Sequence, residues 1–108
     1  MIDLEGYRLC IRQLLSERAR LVGNACIQAE TVFDRARDRY LLIHVGWLGT
    51  ERIYDPILHI DIYNNQIWIQ KDETAAGIAN DLIQRGIPAT AIVLGFRTAI
   101  VRDAALQA

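Results

Sequence analysis

The sequence predicts an α+β domain: an N-terminal helix, an antiparallel sheet of about four strands, and a second helix over 74–85 on the same face as the first. Three observations carry that expectation. Residues 3–22 repeat apolar side chains at helical spacing. The stretch from Cys26 to Lys71 switches to alternation, in runs broken by turn-forming residues. Residues 75–83 then return to helical spacing.

In the first helix Leu4, Tyr7, Ile11, Leu14, Leu15 and Leu21 fall near one stripe, with Arg8, Arg12, Glu17 and Arg20 mostly off it. Asp3 is placed to cap its start, and Gly23-Asn24 supplies left-handed backbone to end it. "CIQAETVFD" alternates loosely and "RYLLIHVGW" alternates cleanly. The charged "DRARD" between them makes the two runs a hairpin. "LGTE" turns the chain into "RIYDPILHIDIY", which sets Leu58, Ile60 and Ile62 against His59, Asp61 and Tyr63. Pro56 has no amide proton, so it belongs at a bulge or an edge. Asn64-Asn65 suits a two-residue hairpin turn into "QIWIQ". Thr74 reads as the cap of the second helix, with Asp72 and Glu73 at its positive end and Ala75, Ile78, Ala79, Leu82 and Ile83 as its apolar stripe. Gly86 and Pro88 stop it. "AIVLGF" at 91–96 fits either a short strand or an apolar segment closing over the sheet, and the tail beyond it is weakly helical.

At 108 residues the chain fits one domain, 1–108, large enough for a core without disulfides or metal. Twelve basic and thirteen acidic side chains leave a formal charge of −1. That argues against a dedicated nucleic-acid binder, whose affinity comes from neutralising phosphates. The acidic N-terminus lacks the pattern of a secretory signal, and no apolar run is long enough to span a bilayer. The expected location is cytoplasmic, with no membrane attachment. Cys10 and Cys26, in a predicted helix and a predicted strand, have no paired spacing and read as buried reduced thiols.

The candidate chemistry is sparse. His59 and Asp61 share a strand face and make a possible acid–base pair, but two ligands fall short of a metal site; His44 is the nearest third group by type. An Asp…(Asp/Glu)-x-Lys nuclease pattern fits Asp61 and Lys71 and fails at Ile69, where the metal-binding carboxylate is needed. No catalytic residue and no cofactor or metal is therefore expected. Arg35, Arg37 and Arg39 alternate through the first hairpin with Asp34 and Asp38 between them. Together with Trp47 and Trp68 they make the candidate interaction surface. Large aromatics on a sheet face also lead us to expect self-association, a homodimer or higher oligomer.

The segments "ETVFDRARDRYLLIHVGW", "HIDIYNNQIWIQKDET", "GIANDLIQRGIP" and "IVLGFR" together resemble the XisI-like family, the fdxN element excision controlling factors of cyanobacteria, over about residue 3 to Arg102. The resemblance implies a regulatory role without catalysis: control of DNA-element excision (site-specific recombination) during heterocyst differentiation, exerted through a XisH-like partner, with DNA contacted weakly or indirectly. The alternatives are a directly nucleic-acid-binding excision accessory factor and, third, a small metal-dependent nuclease or hydrolase. The chain departs from the family pattern after Phe96-Arg97, where a proline and an aromatic-containing tail are usual, and at Ala75-Ala76, where an acidic residue is more frequent.

Overall fold

Asp3 starts the first helix as the sequence predicts: its carboxylate accepts the Gly6 N–H at 2.9 Å. The structure, a computed structural model, describes residues 3–21 and 25–98. The expected helix stop at Gly23-Asn24 and the weakly helical tail lie outside the described residues. Helix α1 (Leu4–Ala19) is followed by β1 (Ile27–Asp34), β2 (Arg39–Leu48), β3 (Glu51–Tyr63) and β4 (Gln66–Asp72). Then come α2 (Ile78–Gln84), a single 3₁₀ turn at Ala89–Ala91, and β5 (Ile92–Leu94). The strands form one sheet in chain order, β1 to β5.

The first three pairings are antiparallel, as expected, but among the described residues the sheet has five strands and is mixed, because β5 pairs parallel to β4. Parallel neighbours need a crossover, and α2 provides it. "AIVLGF" is thus partly strand: Ile92 and Val93 are buried opposite Ile67 and Trp68. Asn64 and Asn65 take φ of 52° and 59°, the left-handed pair that a two-residue hairpin requires. Pro56 lies at a bulge, where β2 steps from Leu58 to Pro56 and leaves Ile57 over, in the part of β3 that pairs β2 alone. At Gly46 any side chain is excluded, since a Cβ would stand 2.1 Å from the Cys26 carbonyl oxygen.

The core lies on one side of the sheet. Ile11, Leu14 and Leu15 of α1 and Ile78 and Leu82 of α2 pack with Tyr40, Leu42, Leu58, Ile60, Ile67, Ile69 and Ile92. Each fully buried Leu or Ile contributes about 2 kcal/mol. Two sequence expectations fail here. Leu21 is 74% exposed, because the helix has already ended at Ala19. Cys26 is exposed in the turn before β1, whereas Cys10 is buried in α1 and burial pushes its thiol pKa up.

The second helix also starts later than its pattern suggests. Gly77, with φ of 81°, is the N-cap in place of Thr74 and offers no side chain to cap with. Asp72, at the end of β4, serves instead. Its carboxylate accepts the N–H of Ile78 at 2.7 Å, the N–H of Thr74 at 2.9 Å and the Thr74 hydroxyl. Ala75 is left exposed before the helix, and Ile83 is 42% exposed on its outer side.

A second carboxylate ties α1 to the first hairpin. Arg8 donates to Asp38 through Nε (2.7 Å) and Nη2 (3.0 Å), and the buried Tyr40 hydroxyl donates to the same carboxylate at 2.9 Å. The Arg8 guanidinium, helped by the Tyr40 hydroxyl and opposed by partial burial, holds Asp38 below the usual carboxylate range. Burial and the Asp38 charge push Tyr40 up to about 12.

Two outcomes follow. Asp72→Ala is expected to lower stability by about 1–2 kcal/mol, and Thr74→Ala by less than about 1, in urea denaturation, since only the first removes the cap. Asp38→Asn keeps the left-handed turn (φ of 52°), which Asn tolerates, and loses the charge. A carboxyl with a depressed folded pKa stabilises above its unfolded pKa of about 3.9. The gap between wild type and Asp38→Asn should therefore be about 1–2 kcal/mol at pH 7. It should close as pH falls from about 4 through the folded value. A gap unchanged in acid would mean that the Asp38 charge contributes nothing.

Candidate interaction surface

Alternation puts half of each strand on the side away from the helices. Among the described residues no helix covers that side, and its apolar members run in cross-strand pairs. Val32 faces Leu41, Ile43 faces Pro56, Val45 faces Tyr54 and Trp47 faces Arg52. Trp47 is 51% exposed and Tyr54 63%. The Arg52 guanidinium sits 5.2 Å from the centre of the Trp47 ring, a cation–π contact that holds the indole against the sheet.

Polar groups gather at the other end. Cross-strand register sets Arg39 beside Asp61 and Asp61 beside Trp68. The Asp61 carboxylate meets His59 Nε2 at 2.9 Å through Oδ1 and accepts from Gln70 Nε2 at 3.3 Å through Oδ2. Asp61 is therefore occupied by its own neighbours, and Arg39, directly opposite, makes no ion pair among the described residues. Tyr63 packs edge-on against Trp68, ring centres 6.4 Å apart. A shallow cavity of about 290 Å³ opens here between Arg37, Arg39, Tyr63, Trp68 and Gln70. Two guanidinium groups beside two aromatic rings can take a chain segment that carries both a carboxylate and apolar surface.

Of the residues singled out from the sequence, Arg37, Arg39 and Trp68 come together at this cavity. Arg37 also closes its own turn on Asp34, through its N–H (3.0 Å) and its guanidinium (3.1 Å); these bonds hold the Asp34 carboxyl below its usual range. Arg35 parts from the group and pairs with Glu5 of α1. Trp47 stands at the far end of β2. His44 does not join His59: the register places Leu41 beside His59, which sends His44 to the helix-bearing face. Ile69, the position a nuclease would need as a carboxylate, is fully buried in the core, and Lys71 pairs with Glu73 at 3.1 Å. Among the described residues no group of three or more His, Cys, Asp and Glu converges to hold a metal ion. No helix there is long and apolar enough to cross a membrane. Sequence reasoning missed Arg52, Tyr54 and Gln70. The signal for the first two was the shared parity of Arg52, Tyr54 and Pro56, hidden by the bulge at Ile57.

A helix–sheet–helix–strand chain with one face of its sheet covered and the other bare defines a small α+β module with an open face. The XisI protein family model matches residues 1–106, and the chain belongs to that family. Two solved structures from Anabaena variabilis ATCC 29413 are similar. A XisI-like protein shares 31% identity over 94% of both chains, with a TM-score of 0.88. The fdxN element excision controlling factor XisI shares 32% identity over 89% of this chain and 94% of its own, with a TM-score of 0.74. No curated protein matches the chain.

Because Trp47 is half exposed, Trp47→Ala is expected to cost no more than about 1 kcal/mol, the worth of an exposed cation–π contact. Leu58→Ala, in the core, is expected to cost about 2–5 kcal/mol. Thermal or urea melts of the two variants check the contrast. Equal losses would place Trp47 in the structural core.

Proposed function

We propose that the chain is a non-enzymatic regulatory factor that controls excision of a DNA element of the fdxN type by binding a XisH-like partner protein. Family membership supports the link to excision control. The observation that carries the binding mode is the bare side of the sheet, where the exposed Trp47–Arg52 pair and the Arg37–Arg39–Trp68 cavity lie on one continuous face. Interfaces favour this composition: aromatic residues and arginine are enriched in them, and lysine is depleted. The face holds its affinity in apolar area and forked hydrogen bonding, which suits a protein partner better than the uniform charge of a duplex. On this reading Asp61 and Lys71 are structural neighbours of His59, Gln70 and Glu73 and take no part in bond cleavage.

Calorimetric titration of the chain with a XisH-like protein from the same genome tests the proposal. Trp47→Ala and Arg39→Glu are expected to weaken binding at least about tenfold, or 1.4 kcal/mol, with little change in folding. Gel-shift and nicking assays with magnesium and manganese should show no cleavage and no tight DNA binding by the chain alone. Nicking by the chain alone, abolished by Asp61→Asn, would replace the regulatory reading with an enzymatic one. Undiminished partner binding by both face variants would move the contact elsewhere.

A further inference from the structure

Among the described residues, one edge of the sheet is open. β1 is terminal in the strand order, so its eight residues pair β2 on one side only. The Trp47 N–H donates to the Cys26 carbonyl at 3.1 Å, and these residues lie opposite one another in the register that next pairs Ile27 with Gly46. Bonded and non-bonded pairs alternate along an antiparallel ladder. Gln28, Glu30, Val32 and Asp34 therefore turn their backbone groups to β2, and the N–H and C=O groups of Ile27, Ala29, Thr31 and Phe33 point outward. Proteins usually blunt such an edge with charged side chains, lysine above all, with proline, a bulge or a very short strand. β1 has no lysine, proline or bulge and its register with β2 is unbroken; its two charges, Glu30 and Asp34, belong to residues whose backbone groups turn to β2. Thr31, Val32 and Phe33 are all exposed, so α1 leaves this edge accessible even on its own side of the sheet.

We propose that β1 is the seam of a twofold dimer, pairing antiparallel with β1 of a second copy about an axis at Thr31, so that the two sheets become one. The inference stands independently of the partner assignment above. The side chains select the axis. Outward-pointing odd residues must oppose odd residues, which leaves axes at Ala29, Glu30, Thr31 or Val32 as the choices that keep at least five residues of each strand paired. An axis at Val32 sets Asp34 opposite Glu30 of the second copy, two like-charge pairs. An axis at Glu30 sets two like charges face to face, which is destabilising. An axis at Ala29 leaves Val32 and Phe33 outside the seam. An axis at Thr31 pairs Thr31 with itself and lays Phe33 over Ala29 of the second copy, large against small. It also sets Val32 opposite Glu30 and the Gln28 amide opposite the Asp34 carboxylate. An edge also accepts a strand from another protein. The second copy is favoured because this one strand carries both halves of the Phe33–Ala29 and Gln28–Asp34 pairs.

The test is light scattering on the purified full chain, joined to site-directed disulfide formation in a Cys26→Ser background, so that the exposed native thiol is silent. Wild type is expected at dimer mass at micromolar concentrations. Thr31→Lys, which sets two ammonium groups together on the axis, should elute as a monomer with an unchanged circular dichroism spectrum. Thr31→Cys should oxidise to a covalent dimer, because bonded pairs bring Cα atoms to about 5.5 Å, within disulfide reach. Gln28→Cys should not, since its mate lies opposite Asp34. Trp47→Ala should keep the dimer mass. If Thr31→Lys fails to fold, the cysteine pair decides. A monomeric wild type, a dimeric Thr31→Lys protein, or crosslinking no better at residue 31 than at residue 28 would each overturn the proposal.

Discussion

The bidentate bond between Arg8 and Asp38 joins the two parts of the chain that must agree before anything else is placed. Apolar burial attracts α1 to the sheet without fixing where it lies, because the hydrophobic effect has no direction. A forked guanidinium on a carboxylate does have one. Asp38 occupies a left-handed position in the first hairpin, and its carboxylate also accepts the hydroxyl of Tyr40, among the largest fully buried side chains. A buried phenol without a partner costs about 1–3 kcal/mol. One side chain thus registers the helix and satisfies the core tyrosine from a left-handed position in the turn.

The same logic recurs at the other end. Asp72 caps α2 from the end of β4, so the helix start is positioned by the sheet. Arg18 pairs with Asp81, and Arg85 with Glu17 at 2.5 Å, joining the two helices to each other. These contacts lie on one side. The helices share a core face, the opposite face keeps its aromatic and arginine side chains, and the sheet keeps β1 as an edge. What remains for binding is what this one-sided construction leaves uncovered.

Local signals were legible in the sequence and non-local ones were not. Asp3, the α1 stripe from Leu4 to Leu15 and the Asn64-Asn65 turn act within a few residues, and each appears where its spacing puts it. Thr74 failed as a cap because Gly77, at positive φ, lets the chain fold back so that Asp72 reaches six residues ahead. A rule that looks for the cap next to the helix does not see that. The parallel strand β5 is three residues long, and its pairing with β4 is set across the α2 crossover, so no local pattern announces it. At the candidate surface, types were readable and groupings were not. Arg35, Arg37 and Arg39 alternate in sequence, yet the turn between β1 and β2 interrupts the alternation and delivers Arg35 to Glu5. Trp68 reaches Arg39 through two cross-strand registers that sequence spacing does not encode.

Edge and face are at right angles, and that bears on how the two proposals combine. A dimer sealed along β1 consumes backbone groups in the plane of the sheet and leaves the bare face intact. The two bare faces would then lie side by side, each with its Trp47–Arg52 pair and its arginine-lined cavity. A partner with two binding segments would meet the second site at the effective concentration set by its own linker. Such a device gives tight binding from modest single contacts, and it needs no net charge. A chain with a formal charge of −1, whose basic residues are eleven arginines and one lysine, with Arg8, Arg18, Arg35, Arg37 and Arg85 paired to acids, is built for that kind of recognition more than for holding DNA by counterion release.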